Sequence, residues 1–391
     1  MKNKKISLHI YPSNILHETR IERICKVILE SKIATDVIIY GIDDSKLDKQ
    51  SYIFPHAEVI RIEKRIGAPN LILKVLSFFL WSIKVYRNIP DNQIVTVHAH
   101  SLSVFPLAFM IKMRKKANLV YEPHEFEIDT SNSGLMRRAI LKNLEKRLIK
   151  HADLFYVVSE EIAFEYSKHY PKVQIEIIRN IPDEDRSIKA KLSCDDLREE
   201  YNLFSREVLF LYQGILAPER GTEMICSTFA GSGVSAHVLF IGEGESEQFV
   251  ESMVKLHSNI HLKKMLTEGE LLTITAQCDV GLVHLDDSCL NHELALPNKF
   301  FQYLQAQIPV LAANRRQLKE YVRKHDLGWV YQTNDDFKAL VLSIQKSEIE
   351  SKKTKIEIFN SEHNWEKEKI KLMNIYMKLK EESTRDERET L

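Results

Sequence analysis

Apolar and polar positions alternate between two periods along almost the whole chain. In the first half, short continuous apolar runs predict strands at Ile6–Tyr11, Asp36–Gly41, Ala57–Ile62, Ile94–His98, Leu119–Glu122, Leu154–Val158 and Ile175–Ile178. Such unbroken runs suit strands buried on both faces of a parallel sheet. Helical spacing fills the gaps between them. Ile140, Leu141, Leu144 and Leu148 form one apolar stripe, and Ser159 before Glu160 and Glu161 reads as an N-cap with acidic first-turn residues. The pattern weakens into a charged stretch around Pro182–Arg206, then restarts. Strands are predicted there at Val208–Gln213, Val238–Ile241, Ile260–Lys263, Val280–Leu285, Pro309–Ala312 and Trp329–Tyr331.

Two consecutive strand–helix series predict an α/β protein with two doubly wound, Rossmann-like domains facing a central cleft. The first domain is expected over residues 1–183, a linker over 184–206, and the second domain over 207–360. Residues 361–391 follow, with a polar tail, Glu382–Leu391, predicted to be disordered.

Composition narrows the class. The 391 residues are 44% hydrophobic and 28% charged, as in a soluble globular protein. The five cysteines, Cys25, Cys194, Cys226, Cys278 and Cys289, are scattered without a CxxC pair, which speaks for a reducing, cytoplasmic setting. The basic N-terminus is broken by His9, Pro12 and Asn14 and lacks a signal-peptide core. The most apolar stretch, Leu71–Tyr86, contains Lys74, Ser77 and Lys84; it is too polar to span a bilayer and predicts an amphipathic helix packed on a sheet. The formal net charge of zero hides a split. Residues 1–180 carry 28 Lys and Arg against 20 Asp and Glu, and residues 181–391 carry 27 against 35. The basic half predicts a surface for an anionic partner, and its clusters (Lys112 to Lys116, Arg137 to Lys150) suit an anionic membrane surface. No nucleic-acid motif is present, so nucleic acid is not expected as a partner.

Three segments carry candidate chemistry. Leu296-Pro297-Asn298-Lys299 opens a helix with core-facing Phe300, Phe301 and Leu304. Asn298 reads as its N-cap, and the helix start with Lys299 is a seat for a diphosphate, or else an ordinary capped helix with a solvated lysine. Gly214 to Gly221 follows a buried strand and includes Arg220, whose planar fork can grip phosphate; the alternative is a surface turn. The loop is neither a Walker sequence nor a GxGxxG fingerprint. Gly242-Glu243-Gly244 closes the next strand, near a base or ribose. In the first half, Glu122-Pro123-His124-Glu125 ends one strand, and His98 and His100 end another. A strand-end histidine beside carboxylates can move a proton or bind a hydroxylated acceptor, or simply be a satisfied polar residue. Asp286 and Asp287 read as a loop pair, and no metal site is assigned.

Together and in order, these segments resemble the GT-B-fold retaining glycosyltransferases of family 4, which include many bacterial surface-polysaccharide enzymes. His17-Glu18-Thr19-Arg20 looks like the start of the family's first helix, and Tyr121 to Glu125 like its acceptor-side motif. Asn180-Ile181-Pro182 looks like its end-of-domain motif, Gly214 to Gly221 like its diphosphate loop, and Ala295 to Val310 like its donor-binding segment. Trp365 looks like the start of its terminal helix, so the resemblance implies that residues 361–391 include a helix packed back on the first domain. The family usually has two Glu residues eight positions apart. Gln302 stands at the second, which binds ribose, and Leu294 at the first, beside Glu293. Ile215 stands where an Arg often contacts phosphate, and Gln307 where Gly is common.

The resemblance implies transfer of a hexose from a UDP- or GDP-sugar to a glycan or lipid-linked acceptor, with retention, no cofactor and no metal. It implies a donor site at Gly214, Arg220, Gly242, Glu243, Glu293, Leu294, Pro297, Asn298, Lys299 and Gln302. It implies an acceptor side at Arg20, His100, His124 and Glu125, with His124, Arg220 and Lys299 catalytic. A nucleotide-sugar epimerase of the same fold, an inverting transferase and a non-catalytic transferase partner are the competing readings.

Overall fold

The computed structural model describes residues 4–389, except residue 17 and residues 44–46, 65–70, 131–133, 184–195 and 231–235. His17, Cys194 and most of the expected linker therefore lie outside the described residues. The chain divides into two compact units: residues 1–179 with 368–391, and residues 180–367.

The first unit contains β1 (Lys5–Ile10), α1 (Thr19–Glu30), β2 (Asp36–Asp43), β3 (Gln50–Phe54), β4 (Ala57–Glu63), α2 (Leu71–Asn88), β5 (Gln93–Ala99), α3 (Phe105–Lys115), β6 (Asn118–Tyr121), α4 (Leu135–Leu148), β7 (Leu154–Val157), α5 (Glu160–His169) and β8 (Glu176–Ile177). The sheet order is β3-β4-β2-β1-β5-β6-β7-β8. All neighbours are parallel except β3, which pairs antiparallel with β4. The half-exposed edge strand β3 is absent from the sequence reading, and β8 shrinks to two residues. Right-handed crossovers set α1 on one face and α2, α3 and α4 on the other, where α3 packs against both α2 and α4. Ser159 caps α5 by accepting from the Ile162 N–H, at 3.3 Å.

Two helices depart from expectation. In α4 the predicted apolar stripe is not a core stripe: Ile140 is exposed, and the residue facing inward is Glu145, which is fully buried. Three tyrosine hydroxyls, of Tyr121, Tyr166 and Tyr170, donate to its carboxylate at 2.7–3.1 Å and compensate the burial. In α2, Ser77, Trp81 and Val85 are buried, but the opposite stripe is apolar and exposed.

The second unit contains α6 (Asp196–Glu200), β9 (Val208–Gln213), α7 (Thr222–Ala230), β10 (Ala236–Ile241), α8 (Glu247–Leu256), β11 (Ile260–Lys263), α9 (Glu268–Thr275), β12 (Val280–Val283), α10 (Leu290–Leu294), α11 (Asn298–Gln305), β13 (Val310–Ala313), α12 (Arg316–His325), β14 (Gly328–Tyr331), α13 (Asn334–Ser343) and α14 (Lys346–Glu362). Its six strands are all parallel, in the order β11-β10-β9-β12-β13-β14. Every residue of β9 is buried, and apolar cores cover both faces of the sheet. Residues 196–206, expected in the linker, include α6, whose Leu197 belongs to one of these cores.

The last helix, α15, runs from Trp365 to Glu389 and enters the first unit at Glu368. There Glu368 pairs with Arg179, and Lys371 donates to the Ile177 carbonyl. The predicted disordered tail is helical as far as Glu389.

Candidate functional sites

In the second unit the candidate residues converge at the carboxyl ends of the strands, where doubly wound sheets bind ligands. The loops after β9 and β10 are stitched together. Gly214 N–H donates to the Ile241 carbonyl at 2.9 Å, and Leu216 N–H donates to the Glu243 carbonyl at 3.0 Å. The approach is so close that a Cβ at residue 242 would lie 1.9 Å from the Gly214 oxygen, so only glycine fits. Glu243 itself is exposed and contributes this backbone contact.

Lys299 reaches across from the first turn of α11. Its Nζ lies 4.0 Å from the centre of the Tyr212 ring and 3.5 Å from where a Cβ on residue 214 would stand. Burial lowers its pKa to about 7, and the charge of Arg220 acts in the same direction. Arg220 ends a short 3-10 turn after β9, half-buried. Among the described residues neither cation is paired with a carboxylate. His284, at the end of β12, was not singled out in the sequence. It sits over Gly221, where a Cβ would come within 2.4 Å of its ring, and bonds to the Tyr331 hydroxyl. Burial, then the charge of Arg315, lowers it to about 4, so it is a neutral imidazole at physiological pH.

Four sequence expectations change here. Asn298 is the first helical residue, not the cap; Pro297 occupies the cap position with no side-chain bond, and the Asn298 side chain accepts from Asn180. The Phe300 N–H already donates to the Pro297 carbonyl at 2.9 Å, so the first-turn N–H groups that can face a ligand are those of Asn298 and Lys299. Leu294 is fully buried and offers no side chain to the site. Glu293 accepts from the Arg315 guanidinium at 2.6 Å, which in turn donates to the Leu285 carbonyl. Gln302 is held by Gln213, whose Nε2 donates to its Oε1 at 2.6 Å. Asp286 is also committed, bonded to Ser288 and His292. Gln307 adopts φ 63°, a left-handed conformation that favours glycine. Ile215 is exposed, as an unfilled contact position requires.

In the first unit a buried polar network runs under the sheet. Register places His9 beside His98, and their rings stack with centroids 4.0 Å apart. At the strand ends, Glu122 is fully buried. Arg20 Nε donates to it at 2.5 Å, Tyr156 OH at 2.6 Å, and His100 Nδ1 lies 3.2 Å away. Burial alone would raise the Glu122 pKa, but the Arg20 charge, together with His100 and His124, outweighs it and holds the carboxyl well below the usual range. An ionised Glu122 accepts from the His100 Nδ1–H. His100 Nε2 and His9 Nδ1 share a hydrogen bond at 2.8 Å. His9 Nε2 bonds to the Ser7 hydroxyl, 3.1 Å away, which bonds to Thr96 at 2.6 Å.

The ring nitrogens of His9, His98 and His100 lie within 4.8 Å of one another, as do ligand-type atoms of His100, Glu122 and His124. Metal-ligand spacing in the sequence gave no sign of either group. Glu122 is committed to Arg20 and Tyr156, and His9 and His100 to each other, whereas both ring nitrogens of the buried His98 have no hydrogen-bond partner among the described residues.

Of the expected acceptor-side residues, Arg20 and His100 thus position Glu122 and each other. His124 and Glu125 face a pocket of about 290 Å³, which Tyr11, Ser101, Ser103, Glu127, Arg137 and Leu141 also line. Burial lowers His124 to about 3 despite Glu122 nearby, so it is neutral. Burial raises Glu127 to about 8, although it accepts from the Leu102 N–H at 2.8 Å. His124 and Glu127 therefore offer the pocket a neutral donor and acceptor suited to hydroxyl groups, beside the Arg137 guanidinium and the Glu125 carboxyl.

Two Rossmann-like α/β units, each with its candidate site at the strand carboxyl ends, define the GT-B fold. Residues 17–186 match Glycosyltransferase Family 4, and residues 240–364 match the glucosyltransferase 3-like C-terminal domain. The chain therefore has the fold of the GT-B glycosyltransferases and matches a glycosyltransferase model in each half. Sucrose-phosphate synthase from Thermosynechococcus elongatus superposes with a TM-score of 0.73 at 14% identity, over 96% of this chain and 99% of that one. HepE from Anabaena, solved with UDP and glucose, gives 0.66 at 13% identity, over 98% and 100%. WaaG, a glycosyltransferase involved in lipopolysaccharide biosynthesis, gives 0.62 at 12%, over 95% and 99%. At these identities the likeness is one of fold. No curated protein matches the chain in sequence.

Proposed function

We propose that the second unit binds a UDP- or GDP-sugar and that the chain transfers its hexose, with retention, to a glycan or lipid-linked acceptor for a surface polysaccharide. The observation that carries this reading is the half-buried Arg220 and the desolvated Lys299, neither with a carboxylate partner among the described residues, at the first turn of α11. Negative charge develops on the diphosphate as the glycosidic bond breaks, and preorganised cations stabilise it. A ligand diphosphate also raises the Lys299 pKa and so completes its charge. These groups supply the positive charge that a divalent cation provides elsewhere, hence the expectation of metal-independent transfer with no cofactor. Structures of HepE with UDP-glucose support a nucleotide-sugar donor. His124 orients the acceptor or the transferred sugar as a neutral imidazole.

The exposed face of α4 supports an anionic membrane as the setting. Arg137, Lys142, Lys146, Arg147 and neighbouring Lys150 are exposed, and the only acid of the helix, Glu145, points inward. No described helix is long and apolar enough to cross a membrane, so this reading is of peripheral association on the inner face.

Gln302 and Ile215 favour a second reading, a non-catalytic partner of another transferase. A thermal-shift screen with UDP and GDP, followed by transfer assays with and without EDTA, separates the two. Nucleotide stabilisation with EDTA-resistant transfer supports the proposal. Stabilisation without transfer or hydrolysis supports the partner, and EDTA-abolished transfer restored by magnesium refutes the metal-free mechanism.

A further inference from the structure

A surface helix normally buries one apolar stripe and wets the other. The α2 helix does not follow this rule: Ser77, Trp81 and Val85 face the sheet, and Val75, Leu76, Phe79 and Leu80 form a second stripe facing outward. Val75 is 62% exposed and Phe79 58%. Met110 and Met113 of the adjoining α3 are exposed as well. An exposed apolar stripe of this kind, with further exposed apolar side chains on the helix packed beside it, marks a docking surface.

Charge identifies the occupant. The helices α2, α3 and α4 lie side by side and together carry eleven Lys and Arg but a single acid, the buried Glu145. Lys74, Arg87 and Arg114 are exposed beside the ridge. A second copy docked on this face would set these cations against their equals. An anionic bilayer accepts both features, with apolar side chains below the headgroups and cations among them.

We propose that the α2–α3 ridge inserts into the interfacial layer of an anionic membrane, with the basic face of α4 held against the headgroups. The proposal deepens the membrane-side reading above and rests on it. Arg137 and Leu141 of α4 also line the pocket that holds His124, so this docking sets the pocket mouth beside the lipid surface.

The test uses the full chain with phosphatidylcholine vesicles, with and without phosphatidylglycerol. Binding to the anionic vesicles is expected at low salt, and a fraction is expected to persist at about 0.5 M salt, where exposed charges are screened. The double variant Leu76→Glu, Phe79→Glu alters only exposed side chains and is expected to melt like the parent. Its binding should fall about tenfold or more at low salt and vanish at high salt. Phe79→Trp should show a blue-shifted emission on anionic vesicles. Undiminished binding of the double variant, or an emission of Phe79→Trp that vesicles leave unshifted, overturns insertion. So does a dimer in solution that the double variant dissociates. Absence of binding to either vesicle at low salt overturns the membrane reading too, whereas the nucleotide screen tests the transferase reading separately.

Discussion

The candidate sites of the two units use buried charge in opposite ways. In the first unit the ions are spent on one another: Arg20 and Glu122 are a closed pair, Tyr156 and His100 complete the carboxylate, and His124 and Glu127 of the pocket are neutral. In the second unit Arg220 and Lys299 face each other's charge with no carboxylate beside them among the described residues, and Lys299 is driven towards neutrality. A closed pair fixes geometry and gives little to a ligand, because its field is already cancelled. An unpaired, desolvated cation is held at a cost that an anion relieves on binding. The comparison assigns positioning to one cluster and anion recognition to the other.

Removing one member of the closed pair should have the largest effect. Glu122→Ala leaves Arg20 buried without its carboxylate, and the first unit should lose about 3–5 kcal/mol. The double variant Arg20→Met, Glu122→Met should lose far less, since no charge is stranded. Denaturant unfolding of the two variants measures the difference. A Glu122→Ala loss under about 1 kcal/mol would show that the pair is not closed.

In the second unit the same logic predicts weaker ligand binding. Arg220→Ala should lower UDP or GDP affinity by about 1.5–3 kcal/mol, the range for a charged hydrogen bond. Unchanged affinity removes Arg220 from the site. For Lys299 the sign follows from its depressed pKa. The free protein holds it near 7, below the unfolded value of 10.5, so the unfolded chain binds more protons between those limits and stability rises with pH there. A bound diphosphate favours the charged form. Nucleotide binding should therefore take up protons above pH 7, and affinity should fall as pH rises through that value. Calorimetry in buffers of different ionisation heat reads the uptake, and Lys299→Met should abolish it. Binding without proton uptake at pH 8 contradicts the assignment.

The two sites were not equally legible in the sequence. Alternation of buried strands and helices was readable because β9, β12 and their neighbours are continuous apolar runs, whereas the exposed edge strand β3 has no such signature. The second site was largely legible because its parts are local: Gly214 to Arg220 is one loop, and Pro297 to Lys299 one helix start. Its error at Asn298 arose because asparagine is a common cap, while here the side chain bonds to Asn180, 118 residues away. The first site was legible only as scattered histidines. Its central pair joins residues 102 apart, and the His9–His100 bond joins residues 91 apart. Sheet register brings these together, and nothing in their local spacing announces it. The outward stripe of α2 was missed because an apolar helix reads as a packed one.

A smaller effect is expected at Gln302. Gln302→Glu keeps an acceptor for Gln213 Nε2 and gives the ribose hydroxyls a charged acceptor, so nucleotide affinity should be preserved or rise by up to about 1 kcal/mol. Titration with UDP and GDP measures it, and abolished binding would remove Gln302 from the ribose site.

The last prediction sharpens the first-unit side of the comparison. Glu127 is held protonated up to about pH 8, above its unfolded value of 4.5, so the folded state binds the extra proton in that window. Its contribution is fully present below pH 4.5 and is lost as pH rises through 8. Glu127→Gln imitates the protonated form: its side-chain oxygen still accepts from the Leu102 N–H, and it never ionises. The variant should match the parent in stability near pH 4.5 and exceed it increasingly towards pH 8 and above. Melting temperatures of the two proteins across pH 4.5–9 give the comparison directly. If the difference did not grow with pH, Glu127 would be ionised at neutrality, and the pocket beside His124 would be acidic and suited to a cationic ligand instead of a hydroxylated one.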